Sequence, residues 1–63
     1  MDITIKVKKD DTWIGHTFVG DKEDILPDMQ KYIKDNEGYY IDVFFSSEEE
    51  AKELTYDELF NPK

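Results

Sequence analysis

The stretch Tyr39-Tyr40-Ile41-Asp42-Val43-Phe44-Phe45 is the longest apolar run in the chain and holds four of its nine aromatic residues. Apart from Asp42 its members are β-branched or aromatic, and Gly38 and Ser46-Ser47 bound it, which is the composition of a strand. No proline or run of charge interrupts it, so left bare it would be an aggregation hazard. Alternation puts Tyr39, Ile41, Val43 and Phe45 on one face and Tyr40, Asp42 and Phe44 on the other. The first set belongs on a core. The second is less polar than a solvent-facing row should be, so a cover over Tyr40 and Phe44 is expected, from a terminal helix or a second copy.

How much cover the chain can supply depends on its size. Sixty-three residues make a single small domain, near the lower limit for folding without a staple. There is no cysteine, so neither a disulfide nor a thiolate metal site can help. A net charge of −8 adds self-repulsion. A homodimer is therefore a reasonable expectation. The N-terminal residues lack a basic-then-apolar signal, and no apolar run approaches the roughly 20 residues needed to span a bilayer. A cytoplasmic protein that avoids membranes and nucleic acid is expected, since anionic surfaces would repel it.

Ile3-Thr4-Ile5-Lys6-Val7-Lys8 alternates strictly, as a half-buried strand does. Lys9-Asp10-Asp11-Thr12 supplies turn chemistry, and Trp13-Ile14-Gly15-His16-Thr17-Phe18-Val19 reads as a second strand. An antiparallel hairpin follows, with Ile14 and Phe18 on the core face, Trp13 and Val19 on the other, and Gly15 marking a bulge or a close backbone approach.

Ile25, Leu26, Met29, Tyr32 and Ile33 fall on one stripe of a helix. Pro27 is tolerated in a first turn but costly in an interior. Asp24 as N-cap therefore places the helix at about 25–35, with Gly38 available for a left-handed cap after it. Beyond the third strand, Ser46 with Glu49 or Ser47 with Glu50 fits a capping box, and Thr55 with Glu58 repeats the pattern. Either one helix runs to Phe60 or a second begins at Thr55. Ala51, Leu54, Leu59 and Phe60 are the candidates to pack inward, and Pro62 closes the chain. The order β-β-α-β-α predicts an α+β domain, with an antiparallel hairpin and a third strand packed by one central helix and an acidic C-terminal helix.

Most catalytic arrangements fail on inventory. His16 is the one imidazole, and nothing in the sequence places it beside Ser46 or Ser47, neither of which lies in a nucleophile-elbow pattern. Asp35-Asn36-Glu37-Gly38 has a fragment of a calcium loop, but the first and closing ligand positions fall on Ile33 and Phe44. Zinc spacings and glycine-rich phosphate loops are absent. Lys6, Lys8 and Lys9 form the one basic cluster, and blunting of an exposed strand accounts for it. Neither an enzyme nor a cofactor or metal protein is expected.

Acidity is the remaining signal. Residues 1–20 are neutral, with three acids and three lysines. Residues 21–45 carry seven acids against three lysines, and residues 46–63 six against two. On a continuous last helix Glu49, Glu53 and Asp57 form one row, rising about 6 Å per step, the order of a phosphate spacing. A charge run also keeps a protein soluble without further purpose. In size and charge layout the chain is similar to small phage-encoded DNA-mimic inhibitors, a likeness that rests on no shared motif and assigns no residue a role.

Two functions are expected. In the first, Glu48, Glu49, Glu50, Glu53, Asp57 and Glu58, backed by Asp24 and Asp28, occupy the basic nucleic-acid-binding surface of a partner protein, with Trp13 or Tyr56 as aromatic anchor. In the second, the chain is an accessory subunit that binds through an apolar sheet face built on Trp13, Tyr40 and Phe44, and the acidity only solubilises it.

Overall fold

The computed structural model describes residues 1–61, so Pro62 lies outside the described residues. Strand β1 (Asp2–Lys9) is followed by β2 (Thr12–Val19), helix α1 (Lys22–Asp35), β3 (Tyr40–Phe45), and two short helices, α2 (Glu48–Glu53) and α3 (Tyr56–Phe60). The strands form one antiparallel sheet in the order β2-β1-β3. This is the α+β architecture that the alternation and the helical stripe imply.

The β1–β2 turn consists of two residues. Asp10 and Asp11 both take positive φ, 49° and 65°, and Lys9 pairs with Thr12. Two left-handed residues match the twist of the flanking strands, and Asp bears that conformation better than most residues do. The register then runs without slip through Lys6–Gly15 to Asp2–Val19. Gly15 therefore marks no bulge.

Register also assigns the faces. Ile3, Ile5 and Val7 stand opposite Phe18, His16 and Ile14 on one side and Phe45, Val43 and Ile41 on the other. Directly opposed residues share a face, so this is the inner face of the sheet. Ile3, Ile5 and Val43 cluster there with Ile25, Met29 and Ile33 of α1 and with Leu54 and Leu59. Each fully buried aliphatic side chain stabilises the fold by roughly 1.5–3 kcal/mol. All three helices thus lie on one side of the sheet.

Helix α1 begins three residues before the expected start. Asp21 is its N-cap, and its carbonyl accepts from the Asp24 and Ile25 amides at 2.9 and 3.1 Å. Asp24 is accordingly not the cap but sits in the first turn, and Pro27 lies inside the helix, where its ring nitrogen cannot donate to the Glu23 carbonyl. The earlier start follows from Gly20, which turns the chain at φ 147° with its missing Cβ only 3.2 Å from Ile25 Cγ2. That tight corner brings the chain onto the inner face at once. At the other end Asn36, not Gly38, is the C-cap, and Gly38 lies two residues beyond it with φ 94°.

The C-terminal segment is two helices. Leu54 is extended, with φ −129° and ψ 111°, and Thr55 caps a new helix by accepting from the Glu58 amide at 3.3 Å. The break lets Leu54 and Leu59 both reach the core at 0% and 1% exposure. Ala51 and Phe60 do not pack inward as expected, because each lies on the outer side of its short helix. Tyr39 also departs from the expected core set and is half exposed, since β3 begins at Tyr40.

Candidate functional site

Two surfaces carry the residues that the sequence singled out. The first is the helix layer. Twelve acids and four lysines lie on α1, α2, α3 and their connections, whereas the strands and hairpin turn hold four acids and three lysines. The charge excess is therefore a property of one side of the molecule. Negative residues concentrate in the first turns of all three helices: Glu23 and Asp24, then Glu48, Glu49 and Glu50, then Asp57 and Glu58. They favour the positive helix ends.

Not all of these carboxylates are free to meet a partner. Glu50 accepts from the Asp2 amide at 3.0 Å and from the Ser46 hydroxyl, and lies 3.7 Å from the Met1 ammonium. Glu58 pairs with Lys22 at 2.9 Å, and Asp57 accepts from Asn61 Nδ2 at 3.2 Å. Glu48, Glu49 and Glu53 are exposed on α2, as are Asp24 and Asp28 on α1. The row of Glu49, Glu53 and Asp57 is not a single helical row, because Leu54 interrupts it. What remains is an acidic layer with two of its expected members, Glu50 and Glu58, committed to holding the fold.

The second surface is the outer face of the sheet. Thr4, Lys6 and Lys8 of β1 are flanked by Thr17, Gly15 and Trp13 on one side and by Phe44, Asp42 and Tyr40 on the other. Among the described residues no helix crosses this face, and the terminal helices do not cover it as one expectation had it, because Leu54 and Leu59 draw them to the inner side. Trp13, Phe44 and Tyr40 are left 46%, 49% and 77% exposed. The three aromatics that the sequence proposed as an interface thus share one uncovered face. Trp13 and Phe44 border a shallow hollow of about 330 Å³ with Lys6 and Asp42.

Sequence reasoning missed the polar framework of this face. Lys6 Nζ stands 5.0 Å from the Phe44 ring centroid, a cation–π distance, and Lys6 is directly opposite Asp42. The hydroxyls of Thr4 and Thr17 meet at 2.9 Å. These pairs leave the face near-neutral, Lys6 standing opposite Asp42. Their signal lay in cross-strand register, which alternation alone does not set.

His16 sits on the inner side of β2, where its ring is 4.5 Å from Phe18 and 5.3 Å from Tyr32. With Asp28, Lys31 and Asp35 these residues line a cleft of about 340 Å³ between β2 and α1. Ser46 and Ser47 follow β3 at the opposite edge of the sheet, about 10 Å across the strands and, since His16 is level with Val43, a further 10 Å or so along them. The fold does not assemble a Ser-His pair. Among the described residues no three His, Asp or Glu side chains are grouped to hold a metal ion, and no helix is long and apolar enough to cross a membrane.

Comparisons with protein-family models, with characterised proteins and with solved structures find no match to this chain. The two surfaces therefore have to be read on their own chemistry.

Proposed function

We propose that the protein is a non-enzymatic binding module whose acidic helix layer occupies the basic, nucleic-acid-binding surface of a partner protein and so inhibits or modulates it. The observation that carries this reading is the segregation of charge: twelve acids against four lysines on the helix side, and near neutrality on the sheet side. A charge spread for solubility alone needs no such sidedness. A one-sided field steers encounter with a basic surface and orients the module on arrival. Exposed Glu48, Glu49, Glu53, Asp24 and Asp28 supply the contacts. The likeness in size and charge layout to phage-encoded DNA mimics makes the cytoplasm of a bacterial host the expected setting.

The test is affinity capture from a bacterial lysate at low and at high salt, with captured proteins identified by mass spectrometry. A basic partner released by several hundred millimolar salt is expected, because screening shortens the reach of exposed charges. Salt-insensitive capture, or capture unchanged by Glu49→Lys with Glu53→Lys, would overturn the reading.

A second reading is supported by the aromatic outer face. Trp13, Tyr40 and Phe44 are left exposed on one sheet face, around Lys6 and Lys8, and aromatic residues are enriched at interfaces. An accessory subunit docking through it would lose assembly on Phe44→Glu and be indifferent to charge reversal on α2.

A further inference from the structure

We infer that the free edge of β2 is a self-pairing surface, and that two copies join there into a continuous six-stranded sheet with His16 on the two-fold axis. This inference does not depend on the acidic-surface reading. The phase of the β1–β2 ladder decides which backbone groups of β2 face outward. The Met1 ammonium donates to the Gly20 carbonyl at 2.6 Å, and the Gly20 amide donates to the Met1 carbonyl at 3.0 Å. In an antiparallel ladder such doubly bonded pairs alternate with pairs that share no bond. Along the observed register the bonded pairs are then Ile3–Phe18, Ile5–His16 and Val7–Ile14. The amides and carbonyls of Trp13, Gly15, Thr17 and Val19 point away from β1, and among the described residues β2 has no strand neighbour on that side.

These four residues are disposed symmetrically about His16. A second β2 laid antiparallel with its own His16 opposite brings Trp13 against Val19 of the second copy and Gly15 against its Thr17. Each of the four outward residues then exchanges two bonds, and no outward group of Trp13–Val19 is left over. A shift of two residues either way sets Val19 against Asp11, or Trp13 against Asp21, so carboxylates flank the register on both sides.

The side chains agree with the backbone. In this register Trp13 lies beside Val19 of the second copy on the outer face, and Ile14 beside Phe18 of the second copy on the inner face. Trp13, Val19 and Ile14 are 46%, 71% and 48% exposed in the single chain, and aromatic–β-branched pairs are favoured across strands. Charge permits a second copy here. Two molecules of net charge −8 repel, so contact favours the strand edge with least charge: β2 has none in its eight residues, and beside its inner face Asp28 and Asp35 of α1 are accompanied by Lys31. The other free edge, β3, is shorter and carries Asp42. Edge strands are ordinarily blunted by lysine, proline or a bulge, and β2 has none of the three. The pairing leaves both helix layers on the same side of the sheet, which doubles the acidic surface.

One strand edge with two apolar pairs on each flank is a small contact beside the roughly 1,200–2,000 Å² of stable specific interfaces. A dimer in the micromolar range is therefore expected. Sedimentation of the full chain should show it, and added salt should strengthen it by screening repulsion, opposite to the trend for partner binding. Thr17→Pro removes an outward amide and spares the β1 ladder, so it should weaken the dimer tenfold or more while the fold survives. Native amide exchange needs no variant. Protection of the Gly15, Thr17 and Val19 amides should rise with protein concentration, while His16 and Ile14 stay protected throughout. Mixing Trp13→Lys with Val19→Glu should restore an association that each lacks alone. A monomer at millimolar concentration, exchange at Gly15 and Thr17 that ignores concentration, or a dimer lost with Phe44→Glu but kept with Thr17→Pro would overturn the inference.

Discussion

The amide of Asp2 donates to the carboxylate of Glu50 over 3.0 Å, joining the first strand to a helix 48 residues away. Glu50 is also the third residue after the cap Ser47, whose hydroxyl accepts from the Glu50 amide at 3.3 Å. A capping-box glutamate normally turns back to its own cap. Here it turns outward to Asp2 and Ser46. One member of an acidic run is thereby a clasp between the helix layer and the sheet.

Glu50→Ala should consequently destabilise the fold, whereas Glu49→Ala one residue earlier should not. Hydrogen bonds to a charged group contribute about 1.5–3 kcal/mol when well formed, and partial solvation reduces this to about 1 kcal/mol for Glu50. Glu49 is exposed, so its loss should stay within about 0.5 kcal/mol. Urea unfolding of the two variants side by side measures the contrast. Equal effects would mean that the clasp contributes nothing.

The hairpin turn offers a gain in stability. Asp10 and Asp11 both hold left-handed backbone, φ 49° and 65°, and the second position of such a turn favours glycine. Asp11→Gly should stabilise the protein by about 0.5–1 kcal/mol, the left-handed strain relieved less the added freedom of the unfolded chain. A higher urea midpoint with unchanged slope is the expected signature.

Much of this architecture was legible because alternation and helical spacing are local. Ile3, Ile5 and Val7 declared a face before any partner was known, and Ile25, Met29 and Ile33 declared the stripe that covers it. The start of α1 was less legible. Pro27 argued for a late cap at Asp24, but the Gly20 corner fixes the earlier start by packing against Ile25, a tertiary constraint that outweighs the local cost. The Leu54 break is similar: two capping boxes left one helix or two open, and burial of both Leu54 and Leu59 decides for two. Of the candidate site, sequence named the aromatic trio and the acids. It could not tell Glu50 and Glu58 from their exposed neighbours, since that difference depends on Asp2 and Lys22 arriving from distant parts of the chain.

Pro27 itself makes a prediction. Its position inside α1 removes a donor to the Glu23 carbonyl, and the residue is exposed, so replacement leaves no cavity. Proline costs about 3 kcal/mol in a helix interior relative to alanine. Part of that is returned by the stiffer unfolded chain. Pro27→Ala should then raise stability by about 1–2 kcal/mol, read as an upward shift in thermal midpoint. A fall would mean that the proline ring is itself packing the start of the helix.

Lys22 ties the helix layer together. Its Nζ donates to the Glu53 carbonyl at 2.9 Å, at the end of α2, and pairs with Glu58 at 2.9 Å in α3. A cation at a helix C-terminus and a carboxylate near a helix N-terminus are both favourable placements. Gln30 adds a second tie from α1, donating to the Glu58 carbonyl at 2.8 Å. Lys22→Met keeps the apolar stem and removes the ammonium. The side chain is 36% exposed, so the global loss should be modest, about 0.5–1 kcal/mol. The local loss should be larger. The Leu59 amide, bonded to the Thr55 carbonyl at 3.3 Å, should exchange markedly faster, while the Ile5 amide in the central strand changes only with global stability. If the two amides accelerate equally, α3 is held by Leu54 and Leu59 in the core and the lysine is incidental. If Leu59 alone responds, Lys22 is what holds α3 in place, and Glu58, released from its ion pair, joins the exposed carboxylates, so capture of a basic partner should be kept or strengthened.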